Sequence, residues 1–534
     1  MRSKILWRCL LWGMITLPLF SQTPAGPERD EGAVFVINGF HFNIKGRTRP
    51  DALIRVGEFR EGEEISGWKN LGKFIQNKTQ LLINQRVLAG AVIDFSVGGR
   101  REDGRYPVDL HFTVEDTWNI IAVPYPKYDT NTGFELVVKA RDYNFLGTMS
   151  PLRLDAGYKY DEKGRNSLIF ELDSDIPFRA FGYNWNFNFD HAFNYRPDAG
   201  EPYYYKNVTG LSMEVPYKTT TFTFGFNESF ILNEENADRY KAAYGEFQSG
   251  LYMSSTLFTS WKIPTGVTVG DYGELTYTPR LSGTFNAELS GEPLAAFRRG
   301  PFAALEHTLG FNRVNWIGNY RKGFDVSANN SYQYNFHHID RDMNALDIDF
   351  SVLGIGHFII ADDFGVSANL RYRHWFYHDP DYYDLAGDAL RGILDKAVHA
   401  EYMLSLNLDF PFRVLQFLPS RWFNTSKLRF FDFDMHFSPV IDMALYKAPT
   451  TGNPLPETSR ITFDSHNILL SGGIELIVFP AFMRSLYIRA SLAWNFMEHI
   501  NNPGDYYLNP VLPIIPYLPA GDNREIFVGI GHYY

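Results

Sequence analysis

The chain has 534 residues and a formal net charge of -11, and 16% of it is aromatic, including 45 Phe and 32 Tyr. That length exceeds one ordinary compact core, although closed barrels reach it, and the acidic balance excludes the basic footprint of a nucleic-acid binder. The only cysteine is Cys9, which excludes internal disulfides and thiolate metal sites in everything that follows it.

The first residues read as an export signal. Arg2 and Lys4 supply positive charge, residues 5–20 are mostly apolar, and Ser21 is a small residue at a cleavage position. Residues 1–21 are therefore expected to be a signal peptide. No later stretch reaches the roughly 18–20 continuous apolar residues of a membrane helix.

Residues 34–116 predict a small α+β domain. Val34 to Ile37 and Phe40 to Ile44 read as strand, and Pro50 opens a helix through Val56. Ser66 is the expected N-cap of a second helix, which sets Trp68, Leu71, Ile75 and Leu82 on one face. Ala91, Ile93, Phe95 and Val97 then alternate, as do Val108, Leu110, Phe112 and Val114, with residues 98–104 as the hairpin loop. The segment resembles a POTRA domain, the periplasmic module of outer-membrane assembly and secretion proteins. The resemblance implies contact with client chains or accessory proteins by strand addition at a sheet edge.

From Trp118 onward the sequence alternates and no clear helix remains. Phe134, Leu136, Val138 and Ala140 alternate with Glu135, Val137, Lys139 and Arg141. Tyr183, Trp185, Phe187 and Phe189 alternate with Asn184, Asn186, Asn188 and Asp190. One apolar face against one rich in charges and amides fits a barrel with a wet lumen. Short turns, such as Ile176 to Ala180 and Pro216 to Lys218, separate such segments from long loops, such as 378–399 and 497–522. Residues 118–534 thus predict a large antiparallel transmembrane β-barrel, and the pattern counts eighteen strands. Ile526, Val528, Ile530, His532 and Tyr534 form the closing strand, ending on an aromatic. The expected first strand, Asn119 to Tyr128, contains Pro124 and Pro126. Proline cannot donate to a ladder and belongs at an edge. The two prolines and Tyr534 therefore mark an expected weak seam between first and last strands.

Two motifs make a family visible. In RDYNFLGTMSPLRLDAGYKY, Asp142, Asn144, Phe145, Leu146 and Gly147 form an early hairpin turn. In DALRGI, Leu390, Arg391, Gly392 and Ile393 are followed by Asn407, Asp409 and Pro411. Together they resemble the outer-membrane protein assembly-factor superfamily, the BamA/TamA-like bacterial surface antigen family, which also contains the two-partner transporters. The resemblance implies a sixteen-stranded barrel, with the Arg-Gly motif at the tip of an external loop folded inward as a plug. Ile393 departs from the family's usual aromatic. The residues add the partners: Asn407 and Asp409 share one face of their strand, while Asp432, Asp434, His436, Ser438 and Asp442 share a face of the next. An inward Arg391 would meet a carboxylate there, Asp409 or Asp442.

The expected function is insertion or assembly of outer-membrane barrel proteins through the seam. The alternatives are a two-partner polypeptide secretion transporter and, in another class, a passive porin or surface adhesin. Expected partners are outer-membrane lipid, unfolded protein clients and periplasmic or lipoprotein accessory proteins, with no nucleic acid. No P-loop, nucleophile elbow or metalloprotease helix occurs, so neither enzyme activity nor a cofactor is expected. His374, His378, Asp379, Asp381 and Asp384 are spaced as a solvated loop rather than as metal ligands.

Overall fold

The computed structural model describes residues 32–532 except 130, 132, 162–163, 198–201, 236–246, 270–272, 295–297, 338–344, 377–383, 386, 394–397, 448–467, 483–485, 497–506, 509–515 and 518–523. The expected signal peptide and Tyr534 lie outside the described residues, as do His378, Asp379 and Asp381.

The N-terminal part is a four-stranded sheet carrying two helices. Its elements are β1 (Val34–Lys45), α1 (Pro50–Val56), β2 (Glu64–Ser66), α2 (Trp68–Asn84), β3 (Leu88–Val97) and β4 (Tyr106–Asp116), in sheet order β2-β1-β4-β3. The two apolar runs expected near the start are one strand, kinked by a register shift between Ile37 and Gly39. Ser66 does not cap α2. It ends β2, and the cap is Gly67 at φ 83, where a side chain is strained. The helix face was legible: Leu71, Ile75 and Leu82 are buried, and Trp68 stacks edge-on against Phe35 at 4.7 Å.

The rest is a closed antiparallel barrel of eighteen strands. It begins with β5 (Ile120–Asp129) and β6 (Gly133–Asp142), then β7 (Leu152–Tyr160), β8 (Asn166–Ala180), β9 (Tyr183–Tyr195), β10 (Tyr203–Tyr217), β11 (Thr220–Glu235), β12 (Phe247–Val269) and β13 (Gly273–Gly291). β14 (Phe302–Ile317), β15 (Tyr320–Asn335), β16 (Leu346–Ala361) and β17 (Phe364–Phe376) follow. One strand is broken at Phe410-Pro411 into β18 (Tyr402–Asp409) and β19 (Phe412–Phe417), both paired to β17 on one side and to β20 (Phe433–Lys447) on the other. β21 (Ile468–Pro480), β22 (Leu486–Asn495) and β23 (Arg524–His532) complete the ring. The pattern count of eighteen is thus the observed one, and the family's sixteen is not.

The outward positions are apolar: Phe134, Leu136 and Val138 on β6 are exposed, whereas Val137 between them is buried. Inward positions carry paired charge, such as Lys139 to Asp155 at 3.4 Å and Arg153 to Asp173 at 2.7 Å. Closure gives every barrel strand a neighbour on both sides, although β23 and β5 meet at only two described positions. Several strands run longer than the ~9–11 residues needed to cross a bilayer; β12 has 23 and β13 has 19. Ile176 to Ala180 accordingly belongs to β8, and the turn is Phe181-Gly182. One short helix also interrupts the all-strand expectation, α3 (Pro419–Trp422).

Candidate functional site

Three places in the barrel gather the residues the sequence singled out. The first is the loop after β17. Leu390 and Ile393 are both 2% exposed and pack with Val398, Ala400, Met403 and Ala444. Arg391 lies between them and reaches the lumenal wall. Its backbone N–H and Nε donate to Asp442 Oδ2 at 2.8 and 2.9 Å, and Nη2 donates to Asp442 Oδ1 at 2.5 Å. Nη1 donates to Asp409 Oδ1 at 2.5 Å and to Glu475 Oε1 at 3.3 Å. Burial by itself would lower the guanidinium pKa. The hydrogen bond to Asp442 and the charges of Asp409, Asp442 and Glu475 outweigh it, so the pKa is raised and the group stays charged.

Gly392 is at φ 85, and a Cβ there would stand 2.6 Å from Trp494 N. The backbone can press against β22 only because no side chain intervenes. Asn407 Nδ2 donates to Ala389 O at 2.8 Å, which fixes the other end of the turn. Both expected carboxylates are therefore at Arg391. Sequence reasoning missed Glu475 and Glu525, the latter accepting from Gly392 N at 2.9 Å. Glu475 was findable as the one acid inside the apolar run of β21, in register with Ser438 on the lumenal face. Glu525 was not, because only closure brings β23 beside the loop.

The second place is the turn after β6. The structure makes it a junction rather than a free hairpin. Asn144 has no exposed surface. Its Nδ2 donates to Thr48 Oγ1 at 2.7 Å and to Asp116 Oδ2 at 3.1 Å, and its Oδ1 accepts from Met149 N at 2.9 Å. Arg47 grips Asp142 with both Nη atoms, at 3.1 and 2.9 Å. Tyr143 and Met149 are buried in the core of the small domain. Positive φ falls on Leu146, Gly147 and Met149, not on Asn144, which sits at φ -130. A Cβ on Gly147 would meet Arg47 O at 2.1 Å.

A second bridge to the small domain comes from the end of β14 and the turn that joins it to β15. Asn84 of α2 donates to Asn315 Oδ1 at 2.9 Å and accepts from Trp316 N at 3.0 Å. The same turn reaches across to β20: Asn319 Nδ2 donates to Asp434 Oδ2 at 2.7 Å, and Tyr320 stacks on His436 at 4.8 Å. The barrel mouth nearest the small domain is thus narrowed by a turn that α2 holds.

The third place is the closure. β5 pairs with β6 at ten positions, Pro124 opposite Val138 and Pro126 opposite Leu136. β23 pairs with β22 at nine. Between β23 and β5 the described residues pair at two positions, Phe527 with Asp129 and Val528 with Tyr128. Continuing that register sets Ile530 opposite Pro126 and His532 opposite Pro124, where no pairing is recorded among the described residues.

No protein-family model matches the chain, and no curated protein matches it. Solved structures do. CdiB from Escherichia coli is 10% identical, with a TM-score of 0.49 over 94% of this chain and 77% of that one. CdiB from Acinetobacter baumannii is 11% identical, with a TM-score of 0.46 over 94% and 74%. BamA from Haemophilus ducreyi lacking POTRA domains 1-3 is 13% identical, with a TM-score of 0.37 over 93% and 84%. Likeness at this level transfers no activity. On its own geometry, the chain is a small α+β region ahead of a closed eighteen-stranded antiparallel barrel.

Proposed function

We propose that this chain is a bacterial outer-membrane member of the BamA/TamA-like superfamily that inserts or assembles other β-barrel proteins through the β5–β23 seam. The observation that carries the reading is the two-position pairing of those strands, against ten and nine on their other sides. An incompletely paired edge presents free N–H and C=O groups, to which an incoming strand can add. Client strands would exchange hydrogen bonds with that edge and leave laterally, with no chemical step. Residues 34–116 would serve as a periplasmic POTRA domain, with β3 as the sheet edge offered to clients or accessory proteins.

Depletion of the protein followed by an outer-membrane proteome tests the proposal. Loss of several barrel proteins is expected. Loss of one secreted polypeptide would replace it with the two-partner transporter, and altered solute uptake with no protein loss would replace it with a pore.

A further inference from the structure

Two-residue turns suffice at the small-domain end of the barrel for β8–β9 and β10–β11. The connection from β19 to β20 is different. It covers residues 418–432, LPSRWFNTSKLRFFD, and contains α3 and a 3-10 turn (Ser426–Phe431). Its inner side is closed: buried Asp432 accepts from Ser420 N at 2.9 Å and from Ser420 Oγ. Its outer side is bare. Trp422, Phe423, Phe430 and Phe431 are 60%, 71%, 63% and 57% exposed. Among them stand exposed Arg421, Lys427 and Arg429, with no acid before Asp432. In a chain of net charge -11, that is a local reversal of sign.

The position of the aromatics is informative. Trp422 packs edge-on against Phe417 at 4.9 Å, and Phe417 stacks on Phe433 at 5.3 Å. Phe417 and Phe433 are ladder partners, and Phe433 shares its face of β20 with Ile441 and Met443, which are exposed on the outside of the barrel. Trp422 therefore prolongs the lipid-facing column beyond the strand ends. Phe430 stacks on Phe482 of the next turn at 4.5 Å, which steadies the second pair of rings.

We propose that residues 418–432 form an interfacial foot that sets these aromatic rings into the periplasmic leaflet and binds anionic phospholipid headgroups through Arg421, Lys427 and Arg429. The inference rests on the reading that the barrel spans the outer membrane with its small domain in the periplasm. The amphipathic indole of Trp422 settles at headgroup depth, and the three exposed Phe rings beside it add apolar area for the acyl boundary. Arg and Lys stems lie along apolar surface while their heads stay with water and phosphate. An anionic surface neutralises all three cations whatever their spacing, whereas an apolar protein partner would cover the rings and leave the cations unmatched.

The test uses the full chain in phosphatidylcholine bilayers, with and without phosphatidylglycerol, and acyl chains brominated near the headgroup. The fluorescence of Trp422 is isolated as wild type minus Trp422→Phe. Bromolipid is expected to quench that difference signal, and aqueous iodide is not. Replacing Arg421, Lys427 and Arg429 together by Gln should reduce the phosphatidylglycerol enrichment of the bound lipid by about five-fold or more. Quenching of the difference signal by iodide instead of bromolipid would overturn the proposal, as would undiminished enrichment in the triple variant. Protection from iodide that requires added periplasmic extract would assign the foot to a protein partner and overturn it too. If bromolipid quenched none of the tryptophans, the membrane-spanning reading would itself fall, a result distinct from loss of the Trp422 signal alone.

Discussion

Asp442 has no exposed surface and gives both carboxylate oxygens to Arg391, one of them to the backbone N–H as well as to Nε. A single side chain on β20 thus sets both the path of the loop backbone and the direction of the guanidinium. Asp409, on β18, is more exposed and takes one Nη. The two carboxylates are unequal partners, and that inequality is testable.

Removing one member of a buried ion pair leaves the other charge uncompensated, at a cost of about 3–5 kcal/mol. Arg391→Ala and Asp442→Asn are expected to release the loop, whereas Asp409→Asn should leave it mostly seated. Limited proteolysis of folded protein at residues 377–398 reads this directly. Equal protease resistance in Asp442→Asn and wild type would remove Asp442 from its role.

Gly392→Ala tests the close approach separately from the charge. The substitution meets both a positive φ and the β22 backbone, so it should cost more than about 1 kcal/mol. The loop should open although Arg391, Asp409 and Asp442 are all present. Cleavage at the same sites as in Arg391→Ala is the expected pattern.

Asn144→Ala removes a fully buried amide that joins Thr48, Asp116 and Met149. Thr48 and Asp116 keep their bonds to each other, and Asp116 keeps its bond from Arg47 N, so the group left unmatched is the buried Met149 N–H, at roughly 1–3 kcal/mol. The small domain should then melt ahead of the barrel. A single unchanged calorimetric transition in the variant would show that the junction does not couple the two parts.

Two ionisable groups of the small domain are held away from their usual values by burial. Glu63 is raised and Lys78 is lowered, each in part offset by the other's charge. Lys78 lies beside the rings of Phe59 and Phe74 and donates to Glu58 O at 2.8 Å. For Glu63, the stabilising contribution is complete below the ordinary glutamate pKa and is lost as pH rises through the raised one. For Lys78 it is complete above the ordinary lysine pKa and is lost as pH falls through the lowered one. At neutral pH, Glu63→Gln should therefore raise the melting temperature of the small domain, and the gain should vanish below about pH 4. A gain that persisted there would point to packing rather than charge.

The seam can be tested by disulfide trapping, since Cys9 is the chain's only cysteine. Tyr128→Cys with Val528→Cys should cross-link readily. Pro124→Cys with His532→Cys should not, unless the edge is fully zipped. Restoring donors with Pro124→Val and Pro126→Val should tighten closure and slow client insertion. Efficient cross-linking of the second pair in the wild-type background would show a continuous ladder and remove the gate.

Period-two alternation was enough to recover the barrel and the phase of its faces, because each strand's inward and outward residues differ in solvent; its count of eighteen strands stood against the sixteen the resemblance implies until closure decided it. Proline in the first helical turn recovered α1, and helical spacing recovered the buried face of α2. Asp409 and Asp442 could be proposed as partners of Arg391 because each shares a lumenal phase readable along its own strand. The N-cap at Gly67 was not legible, since it depends on backbone φ and not on a capping side chain. Nor was the role of Asn144, whose partners Thr48 and Asp116 are 96 and 28 residues away. Glu525 beside Gly392, 133 residues apart, is the same case. Sequence alone determined which way each strand faces, because burial alternates locally along the chain. The tertiary structure decided which strands meet, where the seam falls and what the loop touches, because closing a ring sets contacts that no local period encodes.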